Sequence, residues 1–182
     1  MGEHLIALVP SIKAIPKVGG SLFRIYRDIR YSKDKTPMKS KIGFLFWQGC
    51  SHRMQSASFY MHYDCSEVFY ATGIRNFKPP LLKAYREYIK NQTNAKKLDL
   101  ILKDLSKKGY LLPPFHFKRY PSGFNKDDKY SYLSLYNAMF AYKIFPIDDI
   151  FFTNDKLIDR GYNIYEDMLD LHNWVYELTL SV

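Results

Sequence analysis

Two cysteines in 182 residues, Cys50 and Cys65, are too few for a disulfide framework, and a chain of this length does not need one. Basic residues are missing from the start of the chain, where a secretory signal would carry them. Glu3 and His4 stand there instead, and Pro10 interrupts the short apolar stretch that follows. Uncharged runs such as residues 42–52 fall far short of a membrane span. These absences point to a reducing cytoplasm and to no membrane partner. Gly-rich phosphate loops, Walker patterns and the G-x-S-x-G elbow are also lacking, which removes the commonest nucleotide and hydrolase signatures. With no internal repeat, linker or low-complexity stretch, residues 1–182 read as a single domain.

Aromatic residues, by contrast, are abundant: 16 Tyr, 13 Phe and 2 Trp, 17% of the chain, within an apolar fraction of 47%. That is enough apolar surface to offset the entropy of ordering the chain. The net charge is +9 and unevenly spread. Residues 1–143 hold 25 basic and 10 acidic side chains, whereas residues 144–182 hold 2 and 8. A field of that sign favours anionic partners such as phosphates or nucleic acid, although a lysine-rich surface also serves solubility.

Residues 4–15 read as a short helix broken at Pro10. Residues 22–31 alternate as a strand, with Phe23, Ile25, Ile29 and Tyr31 on one face. Arg27 falls in phase with that apolar face, so it is expected to be largely buried and paired with a carboxylate near Asp28 or across the sheet. Residues 42–47 form an apolar central strand, and residues 57–63 and 68–74 a hairpin around Asp64-Cys65-Ser66. The period then changes. Pro79-Pro80 opens one helix, Thr93 caps a second that closes at Gly109, and residues 129–140 look helical before a short strand at 141–145. Residues 148–152 read as a helical turn, and Thr153 caps a last long helix with Gly161 as its soft spot. Strands crowded into residues 22–75 with helices after them make an α+β fold with a mostly antiparallel sheet.

The stretch from Arg24 to Lys41 sets seven basic residues within 18 positions, interleaved with Asp28, Ser32, Asp34 and Thr36. Arginines on a strand followed by a Ser/Thr/Lys loop offer guanidinium, ammonium and hydroxyl donors to one anion. The candidate ligand-binding set is therefore Arg24, Arg27, Arg30, Ser32, Lys33, Lys35, Thr36 and Lys39. Arg24, Arg30, Lys33, Lys35 and Lys39 are expected to converge on one concavity. The bland alternative is a solvated edge strand blunted by charge.

The same stretch, FRIYRDIRYSKDKTPMKSKIG, closely resembles the signature of a family of conserved hypothetical proteins, the domain of unknown function numbered 2461. The match falls on Arg24, Arg27, Asp28, Arg30, Ser32, Lys33, Asp34, Lys35, Thr36, Pro37, Lys39 and Gly43. ASFYMHYD is similar to a family strand that keeps His62, with Asp64 in the place of Glu. FKRYPSGFNKD resembles a family loop through Lys118, Arg119, Pro121 and Gly123. The resemblance starts at about Leu22, and the longer N-terminal helical segment usual in the family is not matched. Ala71-Thr72-Gly73 stands for the family's three glycines, and Arg75 for its usual aromatic. The resemblance implies a class and no chemistry.

His62 shares a strand face with Ser58, Tyr60 and Asp64, so His62 and Asp64 are candidate acid–base groups, and Asp28 of the Arg/Asp stretch is a third. Cys50-x-His52 and His62-x-x-Cys65 invite a zinc reading, but the first spacing is tight for a structural site and no metal is expected there. The sequence names no cofactor and does not decide whether the chain is an enzyme. The leading expectation is a phosphate-bearing small ligand in an Arg/Lys-rich pocket. Its rivals are a nucleic-acid-binding module using the basic surface, including Lys83, Arg86 and Lys90 on a helix, and an interaction protein whose Arg/Asp motif is an internal brace.

Overall fold

The computed structural model of the chain describes residues 1–31, 33–49, 51–147 and 156–181. Five strands form one antiparallel meander, β1 (Ile12–Lys13), β2 (Ile42–Gln48), β3 (Ser58–Tyr63), β4 (Glu67–Ile74) and β5 (Met139–Pro146), adjacent in that order. Helices α1 (Gly2–Leu8), α2 (Pro79–Lys90), α3 (Gln92–Lys107), α4 (Leu157–Asp167) and α5 (Leu169–Thr179) complete an α+β fold. Among the described residues no helix is long and apolar enough to cross a membrane.

Register divides the strand side chains between two faces. Phe46 pairs with Phe59 and Met61 with Tyr70, so these residues share one face. The helices cover it. Phe59 packs its ring 4.8 Å from Tyr165 of α4 and stacks 4.3 Å from His172 of α5. Trp174 of α5 meets Tyr85 and Tyr88 of α2, at 6.1 and 5.3 Å, and its indole N–H donates to the Asn94 carbonyl. On α2 the buried residues are Leu81, Tyr85 and Ile89. The opposite face of the sheet carries Leu45, Tyr60, His62, Phe69 and Tyr142, and among the described residues no α-helix residue lines the groove on it.

Several local expectations give way to tertiary pairing. The sheet reaches beyond residues 22–75, taking in β1 and β5. Residues 129–140 are not one helix: a 3-10 turn at Ser131–Leu135 leads into β5, which pairs along the whole of β4 from Ile74↔Met139 to Glu67↔Pro146. Residues 22–31 are not a strand. They make isolated bridges, Leu22 to Phe44 and Tyr26 to Met38, so the segment folds back on itself as an irregular hairpin. Asn91, not Thr93, caps α3, its Oδ1 accepting from the Thr93 backbone N–H at 2.9 Å. The C-terminal stretch is two helices parted at Met168 rather than one long helix, and Gly161, the expected soft spot, lies buried inside α4. Thr153 and residues 148–152 lie outside the described residues.

Candidate functional site

The open sheet face bears a groove of about 640 Å3, within the range of small-molecule sites. Its floor is a row of rings set by register. Gly43, His62 and Phe69 are cross-strand neighbours on β2, β3 and β4. His62 stacks on Phe69 at 4.8 Å and 10°, and Phe69 stacks on Tyr142 of β5 at 5.3 Å. Phe23 closes one end, meeting Tyr60 edge-on at 5.8 Å, and Pro113 and Pro114 border the other. Gly43 makes room at the Phe23 end, since a Cβ there would sit 3.0 Å from the Tyr60 hydroxyl and 3.4 Å from the Phe23 ring.

His62 is 6% exposed, and neither ring nitrogen has a hydrogen-bond partner. Glu67 Oε1 stands 3.8 Å from Nε2, beyond hydrogen-bond reach. Burial, then the Lys41 ammonium, pushes the imidazole pKa below its usual value, while Glu67 and Asp64 pull it back. The ring is thus neutral at neutral pH, with one nitrogen able to accept and the other to donate. Burial also raises the Tyr60 hydroxyl, which remains protonated. Lys39, Lys41 and Arg75 line the groove. Neither Lys41 nor Arg75 has a carboxylate partner among the described residues. A neutral imidazole with a carboxylate nearby has the elements of an acid–base pair.

The residues singled out from the sequence are distributed unevenly about this groove. Lys39 and His62 line it. The hairpin from Arg24 to Lys39 stands at its margin, and its polar groups bind one another. Arg27 is ion-paired with Asp34, and Arg30 holds Asp28 through two hydrogen bonds, at 2.9 and 2.6 Å. Lys35 donates to the Ile29 carbonyl, and Lys39 to that of Arg24. Asp34 also accepts from the Thr36 N–H and hydroxyl, and these bonds with the Arg27 pair lower its carboxyl pKa to about 2. Arg27 therefore has its carboxylate partner, but the partner is Asp34, and its side chain is 34% exposed. The reason is that no sheet covers residues 22–31. Arg24, Arg30 and Lys33 are exposed and do not line the groove; Ser32 lies outside the described residues.

Asp64 accepts from Ser40 and from the Cys65 N–H, fixing the β3–β4 turn beside which Cys65 is exposed. His52 accepts from the Met54 N–H and caps a 3-10 turn; Cys50 lies outside the described residues. Among the described residues no three His, Cys, Asp or Glu side chains are grouped to hold a metal ion. Sequence reasoning passed over Tyr60, Glu67, Phe69, Arg75 and Tyr142 as site residues. Their signal was the alternation of β3, β4 and β5, which puts these side chains on the face away from Phe59 and Met61.

Because the hairpin's ion pairs are exposed, breaking one should barely change global stability. Asp34→Ala is expected to melt within about 3 °C of the parent yet to be cut faster by trypsin between residues 30 and 39. Unchanged cleavage would show that the pairs do not order the hairpin.

A family model described as Conserved hypothetical protein (DUF2461) matches residues 1–174, from upstream of Leu22 through most of α5. No curated protein and no solved structure matches the chain.

Proposed function

The chain belongs to this family of conserved hypothetical proteins, whose description names no activity, and we propose that it binds a small ligand with a flat apolar body and a phosphate-type anionic group in the sheet-face groove. The body lies on the rings of Tyr60, Phe69 and Tyr142, and the anion meets Lys39 and Lys41 at the His62 end of the groove. His62 supplies the directional hydrogen bond. The observation that carries this reading is His62 itself, a buried imidazole that lines the groove with neither ring nitrogen partnered. A group left so costs about 1–3 kcal/mol of folding stability, and a ligand that completes its hydrogen bonds recovers that cost.

In this reading the Arg/Asp motif acts as a brace. Its mutual pairs hold the hairpin against β2 and so position Phe23, Lys39 and Lys41, which links the ligand and brace interpretations of the sequence in one structure.

His62→Phe separates binding from scaffolding. It keeps the ring on Phe69 and removes both nitrogens. The variant is expected to melt at or above the parent temperature, by roughly 2–4 °C for each kcal/mol recovered. It should also lose the stabilisation that an aromatic phosphate ester confers on the parent through mass action. The screen pairs aromatic phosphate esters with their dephosphorylated forms and includes short oligonucleotides at two salt concentrations. A melting-temperature rise with esters alone, absent in His62→Phe, supports the groove. A rise with oligonucleotides that decays steeply with salt would favour the nucleic-acid reading instead. A variant that melts early would make His62 structural.

A further inference from the structure

A second cleft, of about 570 Å3, lies between α2 and the loop through residues 117–124. It does not overlap the sheet-face groove. Lys83 and Arg86 project from one side of α2, three residues apart. Neither has a carboxylate partner among the described residues. The Arg86 guanidinium lies 4.8 Å from the centre of the Phe117 ring, which fixes its plane, yet its Nε–H is buried and unpartnered. Asn137 lines the same cleft. Its amide NH2 donates to Asn76 at 2.9 Å, leaving Oδ1 buried without a donor. Leu82, Phe117 and Phe124 supply apolar walls.

The cleft thus joins a cation without a carboxylate partner, a side-chain acceptor without a donor and apolar surface, beside the Glu87–Lys90 ion pair that also lines it. Buried donors and acceptors in native proteins are nearly all paired, so two unpaired ones in one cleft describe their missing partner. That partner carries an anion for Arg86 and Lys83, an N–H for Asn137 and an apolar group for the walls. We propose that the cleft binds an N-acylated apolar amino acid through its free carboxylate. The carboxylate takes the guanidinium, the acyl-amide N–H donates to Asn137 Oδ1, and the side chain packs against Leu82 and Phe124. A free metabolite and the C-terminal residue of a peptide share this chemistry.

The probe is N-acetyl-leucine, titrated into the full chain while the backbone amide resonances of residues 82–90, 117–124 and 137 are followed. Saturable shifts in all three segments are expected. N-acetyl-leucine amide, which lacks the anion, and 4-methylpentanoate, which lacks the N–H, should each bind at least tenfold more weakly. Arg86→Gln should weaken N-acetyl-leucine about tenfold; because Arg86 also packs on Phe117, the exposed Lys83→Ala is the second variant and should weaken it severalfold. A pentapeptide ending in leucine that binds more tightly than N-acetyl-leucine identifies a peptide tail as the source, and one that binds more weakly identifies a metabolite. No saturable shift with N-acetyl-leucine, equal binding of its amide, or full affinity in folded Arg86→Gln and Lys83→Ala would overturn the proposal. His62→Phe should bind N-acetyl-leucine like the parent, which keeps this site's failure distinct from that of the groove.

Discussion

Gly73→Ala is expected to destabilise the protein by about 4 kcal/mol, combining backbone strain with overpacking, and to lower its melting temperature by roughly 10 °C. Gly73 lies within β4 at φ +123°, a conformation L side chains rarely adopt. A Cβ there would come to 2.1 Å from the Met139 carbonyl oxygen and 2.8 Å from the Phe140 Cα. Both are backbone atoms of β5, so relief requires the strands to part. The Gly73 carbonyl also accepts from the buried Ser58 hydroxyl at 2.9 Å, tying β3 to the same point. Gly161→Ala is the control. Its new Cβ would meet the Met1 Cε at 2.2 Å, the far end of a flexible side chain, with Tyr70 at 3.2 Å. The helix gains up to about 1 kcal/mol of propensity to offset that crowding. Chemical denaturation of the two variants checks the contrast, and equal, small losses would show that β4 and β5 are not held together by this close approach.

The second large effect is a loss of stability in acid. His172 is fully buried, stacked on Phe59, with Nε2 2.9 Å from the Gln48 side-chain oxygen. Burial lowers its pKa to about 3. Between the ordinary value near 6.5 and about 3 the unfolded chain binds a proton that the folded chain refuses. Stability conferred by the neutral ring is therefore fully present above pH 6.5 and falls as pH drops toward 3. From pH 7 to 4.5 the loss is about 3 kcal/mol at 1.36 kcal/mol per pH unit. His62 titrates in the same direction, so the discriminating measurement is the difference between the parent and His172→Gln, unfolded by urea at both pH values. The parent should lose about 3 kcal/mol more than the variant; parallel losses would mean that the buried ring is not the acid-sensitive group.

The central sheet and α2–α3 were legible because local pattern and tertiary role agree there. Residues 42–48 form a continuous apolar run, and the two strands around Asp64-Cys65-Ser66 alternate cleanly. The failures share one cause. Leu133, Tyr136 and Phe140 fall at helical spacing, yet β5 exists because the free edge of β4 needs a partner, which no local window contains. Residues 22–31 alternate like a strand, but they make isolated pairings with residues 17–19, residues 37–39 and β2, leaving an exposed hairpin. The site divides the same way. Lys39 and His62 stood out as chemistry-bearing residues in motifs. Tyr60, Phe69 and Tyr142 read as ordinary aromatics, because only the register of three strands turns them into a floor. Arg75, noted as a departure from a family aromatic, lines the groove as a cation.

The groove combines stacking surface, which any flat ring can use, with cations that select charge and one imidazole that selects direction. Preorganised rings lose little entropy when a ligand arrives, so even a minimal ester should report the site. The most direct test follows the aromatic ring resonances of the parent protein while phenyl phosphate is titrated to saturation, with inorganic phosphate and phenol in parallel. Resonances of Tyr60, His62, Phe69 and Tyr142 are predicted to shift together along one saturation curve, more strongly with the ester than with either fragment, while Phe117 stays still. Shifts that leave those four rings unmoved, or that phosphate alone reproduces in full, would contradict the groove as the ligand site.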